Sequence, residues 1–179
     1  FGKLNPNQKE NQIFLLRSQN DGSLWDFIIP HKYPSPLKVG LGETALLETG
    51  LDSILGISRG SDGYLYSSRS IDGGRNWELP KKMSILGYPA NLIEIDKNKI
   101  LCTYGYRIKP IGIRAVILDK RTLNISSNTF ILRKNGVGNP FDSGYPMTLM
   151  LNDGTFFTTY FFTSDDKVTH IAGTRWRIN

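Results

Sequence analysis

Apolar and polar residues alternate along this chain in short runs that end in turn residues, and the 3.6-residue period of a helix is nearly absent. Runs of about four to eight residues bounded by glycine, proline, asparagine and aspartate are typical of β-strands. The pattern predicts strands at residues 12–18, 44–49, 53–59, 64–70, 91–96, 99–107, 113–119, 129–134, 147–151, 155–162 and 168–178. Such a series indicates an all-β sandwich, barrel or propeller.

An internal repeat favours the propeller among these folds. Three segments begin at Gly42, Gly87 and Gly144, and each contains a glycine, a distinctive residue, a strand, a tight turn and a second strand. Their spacing is about 50 residues, which is the length of a four-stranded propeller blade. The repeat predicts a single partial propeller domain over residues 1–179, with a two-stranded blade remnant at 1–38. Two four-stranded blades follow at about 39–85 and 86–138, and a three-stranded blade at 139–179.

A short motif, Ser-x-Asp-x-Gly-x-x-Trp, occurs at residues 70–77, and a copy with Asn20 in place of the aspartate occurs at residues 18–25. The aspartate or asparagine oxygen can accept backbone N–H groups across a turn. The glycine can adopt a positive φ without strain, and the tryptophan can cover the hairpin with its large apolar face. All of these roles are structural, so the motif predicts blade hairpins and carries no information about catalysis.

The composition suits a folded domain of this kind and narrows the classes of site. The chain has 179 residues, of which 39% are hydrophobic, with 18 glycines and nine prolines for its many turns. The lone cysteine, Cys102, excludes an internal disulfide and is predicted to be a small buried apolar residue. His31 and His170 are far apart and lack metal-ligand spacing. We therefore expect no metal and no cofactor. No apolar run reaches the roughly 20 residues of a membrane-spanning helix, so no membrane span is expected.

The net charge is +6 and the pI is about 9.4. Lysines and arginines are scattered along the chain, with no cluster beyond Lys81-Lys82 and Arg133-Lys134. A nucleic-acid interface needs a basic stripe or a known motif, so we expect no nucleic-acid partner. A small anionic ligand, by contrast, needs only a few arginines in one place.

The two tryptophan motifs resemble Asp-boxes, the repeat signature of the sialidase (neuraminidase) superfamily. In the third unit, the predicted blade at about 86–138, the equivalent stretch "LDKRTLNI" at residues 118–125 lacks the serine, aspartate, glycine and tryptophan of the motif. The phrases "YGYRIKPIGIRA", "DSGYPMTLMLNDG" and "HIAGTRWRI" resemble the C-terminal half of bacterial sialidases. The similarity runs from about Gln12 nearly to the end. It implies about three blades, the C-terminal half, of a six-bladed β-propeller. The other half would be a separate chain, a part not included here, or a second copy. Most members of the family act on extracellular glycans, so the resemblance implies a secreted, periplasmic or cell-surface protein.

The resemblance also implies the site residues. The segment "GETALLE" is similar to the one that bears the glutamate activating the nucleophile, which implies Glu43, with glycine where the family often has asparagine before it. The segment "SGYPMTLML" is similar to the one that bears the tyrosine nucleophile, which implies Tyr145. Arg59 and Arg114 resemble the second and third arginines that bind the substrate carboxylate. Arg107 is the alternative to Arg114 as the third arginine, because it ends its predicted strand as Arg59 does in the repeat.

These residue types suit an acidic sugar. A guanidinium binds a carboxylate with two hydrogen bonds, and a neutral tyrosine avoids the repulsion that a carboxylate nucleophile would meet there; sialidases are known for this exception. The family's first arginine and its aspartate acid/base have no counterpart here, and Asp142 is better read as a turn residue. We therefore expect a retaining exo-glycosidase of sialic acid or another acidic terminal sugar that needs its missing N-terminal half. The alternative is a non-catalytic propeller that binds glycans or proteins.

Overall fold

The protein is all-β. The computed structural model describes residues 7, 13–30, 37–137 and 143–178, and these residues form thirteen strands in four sheets and no helix. Accordingly, nothing in the described part of the chain has the length and hydropathy of a membrane-spanning helix. The chain divides into two compact units, Phe1–Ile85 and Leu86–Asn179.

The first unit contains a two-stranded hairpin and a four-stranded sheet. The hairpin consists of β1 (Leu15–Arg17) and β2 (Asp26–Ile28). The sheet contains, in spatial order, β3 (Leu41–Gly50), β4 (Ser53–Gly60), β5 (Tyr64–Ser70) and β6 (Lys81–Leu86). Strand β4 pairs antiparallel with β3 and with β5. Because Leu55 and Ile57 in β4 and Leu65 in β5 are fully buried, these two central strands hold the core of the sheet.

The second unit contains a four-stranded and a three-stranded sheet. The first sheet contains, in spatial order, β10 (Phe130–Gly136), β9 (Ile111–Asp119), β8 (Lys99–Tyr106) and β7 (Tyr88–Asp96). The other contains β11 (Gly144–Met150), β12 (Phe156–Thr163) and β13 (Thr169–Trp176). Apolar residues from both sheets form one cluster, in which Leu101, Ala115 and Ile117 pack with Phe156, with Trp176 against it. Full burial of a leucine, isoleucine or phenylalanine side chain, as in this cluster, contributes roughly 1.5–3 kcal/mol to stability.

A row of buried hydroxyls also joins the two sheets of the second unit. The hydroxyls of Thr103 and Thr148 lie 3.0 Å apart, and those of Thr148 and Thr158 are also 3.0 Å apart. The indole N–H of Trp176 donates to Thr158 at 3.0 Å. Each buried hydroxyl thus has partners, which offsets the loss of water around it. The row fixes how β8 meets β11 and β12.

The prediction of an all-β chain is confirmed for the described residues, but the first strand of each larger sheet is longer than predicted. Strands β3, β7 and β11 begin at residues 41, 88 and 144, whereas the pattern predicts starts at 44, 91 and 147. The glycines and prolines at these starts suggest turns. In the structure each start contains a bulge, which lets such residues remain within the strand.

Candidate functional site

The Ser-x-Asp-x-Gly-x-x-Trp motif at residues 70–77 closes a turn with its own side chains. The Asp72 carboxylate accepts the backbone N–H groups of Arg75 and Asn76 at 3.1 and 2.9 Å and the Ser70 hydroxyl at 2.8 Å. These bonds, above all the backbone and side-chain bonds from Asn76, lower the pKa of Asp72 to about 2. Gly74 has a φ of 86°, and the Trp77 indole donates to its carbonyl at 2.9 Å.

The copy of the motif at residues 18–25 repeats this bonding with an amide. The Asn20 side-chain oxygen accepts the backbone N–H of Leu24 at 2.8 Å and the Ser18 hydroxyl at 3.1 Å. The Trp25 indole donates to the Gly22 carbonyl at 2.9 Å, the same distance as in the other motif. The predicted hydrogen bonding across the turn is thus confirmed for both motifs. The side chains that make these bonds serve the turn itself.

The starts of β3, β7 and β11 share a distortion. The register slips by one residue between Gly42 and Thr44 in β3, between Tyr88 and Ala90 in β7, and within residues 144–147 of β11. Bulges of this kind redirect side chains and are common beside active sites. The repeat that the sequence predicts therefore appears as a repeated bulge.

Two of these bulges contain a non-glycine residue with positive φ. Glu43 has a φ of 20° and Tyr145 a φ of 52°. A backbone conformation of this kind costs of order 1–3 kcal/mol and persists where the surrounding structure enforces it, often at functional sites. The bulge in β7 contains Pro89, whose ring fixes φ near −65°. The middle repeat therefore does not hold a residue in this conformation.

Glu43 and Arg59 form an ion pair in the first unit. Arg59 is the penultimate residue of β4 and lies opposite Gly42, so the hairpin brings the side chains of Arg59 and Glu43 together. The Arg59 Nη1 donates to both carboxylate oxygens of Glu43 at 3.1 Å. The two side chains are only 25% and 21% exposed, so a charged pair lies half-buried at the bulge.

Tyr145 lies in the second unit at the start of β11. Its side chain is 44% exposed, and its ring stacks on Phe161 with the centroids 5.5 Å apart and the planes 27° apart. Gly144, immediately before it, has a φ of 134°. The phenol therefore lies on a strained bulge, with one ring face packed and a large part of the side chain accessible.

Arg107 follows β8 and reaches the same bulge. Its Nε donates to the Ser143 carbonyl at 3.3 Å, and its guanidinium carbon lies 4.9 Å from the centre of the Tyr88 ring. The structure thus brings Arg107 to the chain that leads into Tyr145, and both are in the second unit.

Arg114 has a different environment from Arg107. It is only 5% exposed, and its guanidinium donates to the backbone carbonyls of Pro110, Ile113 and Arg133. The ring of Tyr106 lies beneath it, 4.8 Å from the guanidinium carbon to the ring centre. Burial lowers the pKa of Arg114 from its usual value. The guanidinium of Arg114 thus donates largely to backbone carbonyls in and beside its own sheet.

The remaining candidates from the sequence have ordinary environments or lie elsewhere. Cys102 is fully buried, as predicted, and burial raises the pKa of its thiol to about 12. Arg175 donates hydrogen bonds to Asp153 and Thr155 of its own unit. His31 and Asp142 lie outside the described residues. Within the described ranges, no group of three or more His, Cys, Asp or Glu side chains could hold a metal.

Sequence reasoning missed the partners that orient these candidates. The Glu43–Arg59 pair could not be read from the sequence, because a regular hairpin with its turn at residues 51–52 would pair residue 42 with residue 61, and the bulges of β3 bring Gly42 opposite Arg59 instead. The ring of Tyr88 beneath Arg107 and the ring of Phe161 beneath Tyr145 had no signal of their own, because both contacts depend on the bulges.

No protein-family model and no curated protein sequence matches the chain. Among solved structures, it is similar to a protein of unknown function from Dyadobacter fermentans, with 29% identity and a TM-score of 0.81 over 94% of this chain and 46% of that one. It is also similar to the NanB sialidase of Streptococcus pneumoniae, with 15% identity and a TM-score of 0.68 over 95% of this chain and 28% of that one. The intramolecular trans-sialidase of Ruminococcus gnavus gives 14% identity and a TM-score of 0.66 over 94% and 38% of the two chains.

These likenesses show the fold. The chain has a sialidase-like β-propeller fold, and it forms a part of such a propeller. It spans less than half the length of each of these three proteins.

Proposed function

We propose that this chain forms part of a sialidase-like, retaining exo-glycoside hydrolase that acts on sialic acid or another acidic terminal sugar. The observation that carries the proposal is the pair of strained bulges at Glu43 and Tyr145, the two residues that the family resemblance singles out. Other non-glycine residues with positive φ lie in turns and loops, whereas Glu43 and Tyr145 lie within strands, and strained backbone of this kind is common at functional sites. The sialidase-like fold supports the same reading.

In the proposed reaction, Tyr145 is the nucleophile and Glu43 its base. A free phenol has a pKa of about 10, so Glu43 must accept the proton as the phenol oxygen attacks the anomeric carbon. The bond to the leaving sugar oxygen then breaks, and a covalent tyrosyl–sugar intermediate forms. Water then attacks the anomeric carbon from the face that the leaving group occupied and gives a proton to the acid/base of the missing half, while the bond to Tyr145 breaks and the phenolate regains its proton from Glu43. Two inversions retain the configuration.

Arg59 and Arg107 are the proposed carboxylate-binding residues. Each lies at or just beyond the end of its strand beside a bulge, and each is half-buried. Arg114, which the sequence favours over Arg107, has backbone carbonyls as partners and is buried. We therefore assign Arg114 a role in holding its own sheet.

The proposed enzyme needs more chain than these 179 residues. The leaving oxygen requires a proton donor, and the family's aspartate acid and first arginine have no counterpart here. The 46% coverage of the Dyadobacter protein supports a missing half of comparable length. Because acidic terminal sugars are displayed outside cells, the proposed location is secreted, periplasmic or cell-surface.

The test is hydrolysis of a fluorogenic sialoside by the longest natural polypeptide that contains this chain. Glu43→Gln and Tyr145→Phe should each lower kcat/KM by at least about 100-fold, as expected for loss of a base or nucleophile. Both variants should keep their thermal unfolding transition. Glu48→Gln, on the exposed side of the same strand as Glu43, is the matched control and should keep full activity. Unchanged rates in both Glu43→Gln and Tyr145→Phe would refute the assignment.

The second candidate is a non-catalytic propeller that binds acidic glycans. One fold can serve unrelated functions, so a propeller of this kind can also bind a glycan without cleaving it. In that case the natural polypeptide would bind sialic acid in calorimetry without hydrolysing any sialoside. Arg59→Ala and Arg107→Ala would still weaken binding, whereas Tyr145→Phe would have little effect.

A further inference from the structure

We propose that Tyr88 is a positioning residue, whose ring holds the guanidinium of Arg107 in place for a carboxylate ligand. This inference rests on the proposed function, because it assumes that Arg107 binds the acidic group of the sugar. It concerns only contacts within the second unit.

The backbone segments at the starts of β7 and β11 pack closely against β8. Gly105 in β8 lies between the Tyr88 carbonyl oxygen and Gly144, and a Cβ atom at residue 105 would come within 3.0 Å of the Gly144 Cα. The bulges of β7 and β11 therefore approach each other through a glycine. Arg107, two residues further along the chain, emerges between them.

Two contacts on Arg107 restrict its side chain. The Nε–H bond to the Ser143 carbonyl fixes one edge of the guanidinium. The Tyr88 ring, 4.9 Å from the guanidinium carbon, covers one face. A flat group held by one edge and one face has little freedom left to rotate. Ordering a side chain before the ligand arrives removes part of the entropic penalty of binding.

An aromatic face suits this task because it carries no full charge. Cation–π attraction holds a guanidinium in place, yet leaves its positive charge to attract an anion. A ring, unlike a carboxylate, therefore positions the guanidinium without neutralising it.

The experiment compares binding of N-acetylneuraminic acid with binding of its methyl ester, which lacks the charge, in the longest natural polypeptide. Tyr88→Leu should weaken binding of the acid about tenfold, which is about 1.4 kcal/mol, and leave binding of the ester within twofold. Tyr88→Phe keeps the ring face and should bind both ligands as the wild type does. In a turnover assay, Tyr88→Leu should raise KM and change kcat little.

The matched control is Tyr106→Leu, which removes the ring beneath Arg114 at nearly the same distance, 4.8 Å. It should lower thermal stability without changing the ratio of acid to ester affinity. A changed ratio in Tyr106→Leu but not in Tyr88→Leu would overturn the proposal in favour of Arg114. If Tyr88→Leu weakened binding of the acid and of the ester equally, Tyr88 would have only a structural role.

A second readout does not depend on ligand or activity. The Arg107 Nε–H signal in ¹⁵N NMR should exchange slowly with water in the wild type and in Tyr88→Phe, and at least tenfold faster in Tyr88→Leu. Unchanged exchange in Tyr88→Leu would overturn the positioning role. If the wild type binds neither ligand, the proposed function fails, and this measurement still decides whether Tyr88 holds Arg107.

Discussion

At the scale of single residues, the two tryptophan motifs form the same turn with different acceptors. Asp72 and Asn20 each accept a backbone N–H four residues ahead and a serine hydroxyl two residues behind. The amide therefore supplies the oxygen that the turn needs, but only the carboxylate can titrate. The difference between the two turns should appear in the dependence of stability on pH.

Asp72→Asn should flatten the acid limb of the stability curve. The hydrogen bonds hold the pKa of Asp72 at about 2 in the folded state, below its value of about 3.9 in an unfolded chain. Its contribution to stability is thus complete above about pH 4 and is lost as the pH falls towards 2. Urea unfolding from pH 2 to 6 should show a smaller slope in Asp72→Asn, and Asn20→Asp should show a larger one. Parallel curves for all three proteins would contradict this account.

At the scale of elements, the sequence predicts the strands well and their starts poorly. The alternating pattern marks β3, β7 and β11, but each begins three residues before the predicted start. The period of two breaks where a bulge inserts a residue, so Gly42 or Gly144 looks like the end of a turn. Pairing across the strands, which no local pattern reveals, decides that these residues belong to the sheet.

The candidate site shows the same limit. Glu43 and Tyr145 could be selected from the repeat and the family resemblance, but their strained backbones depend on the pairing of β3 and β11. The choice between Arg107 and Arg114 could not be made from "YGYR" and "GIRA" alone. It depends on which guanidinium is buried and bonded to backbone carbonyls, and only the formed sheet determines that.

Gly105→Ala should disrupt the junction between the bulges of β7 and β11. The added Cβ would clash with the Tyr88 carbonyl oxygen and crowd Gly144, and backbone at this distance cannot move aside cheaply. We expect a loss of about 1–3 kcal/mol in the free energy of unfolding, measured by urea titration. Gly50→Ala is the control, because its Cβ would meet only Ser53 at an ordinary 3.8 Å. Equal stability of the two variants would show that the junction is more adaptable than its geometry suggests.

At the scale of the whole molecule, the three-stranded sheet leaves apolar side chains exposed. Leu149 and Phe157 are directly paired across β11 and β12, and Met147 and Ile171 project from the same face by alternation. Their exposed fractions are 61%, 37%, 62% and 76%. Contiguous exposed apolar surface of this kind promotes association in solution. The same face would be covered if the chain forms part of a longer propeller, as proposed above.

We therefore expect the 179-residue chain alone to associate reversibly, with a sedimentation coefficient that rises with concentration between about 5 and 200 μM. Leu149→Lys should suppress this rise, because an ammonium group resists burial at an apolar interface. Leu51→Lys is the matched control: Leu51 is 94% exposed and lies in the turn after β3, in the first unit, so its replacement should leave association unchanged. A longer natural polypeptide should sediment independently of concentration. A wild-type chain that stays monomeric throughout, or equal effects of the two substitutions, would show that this face does not drive association.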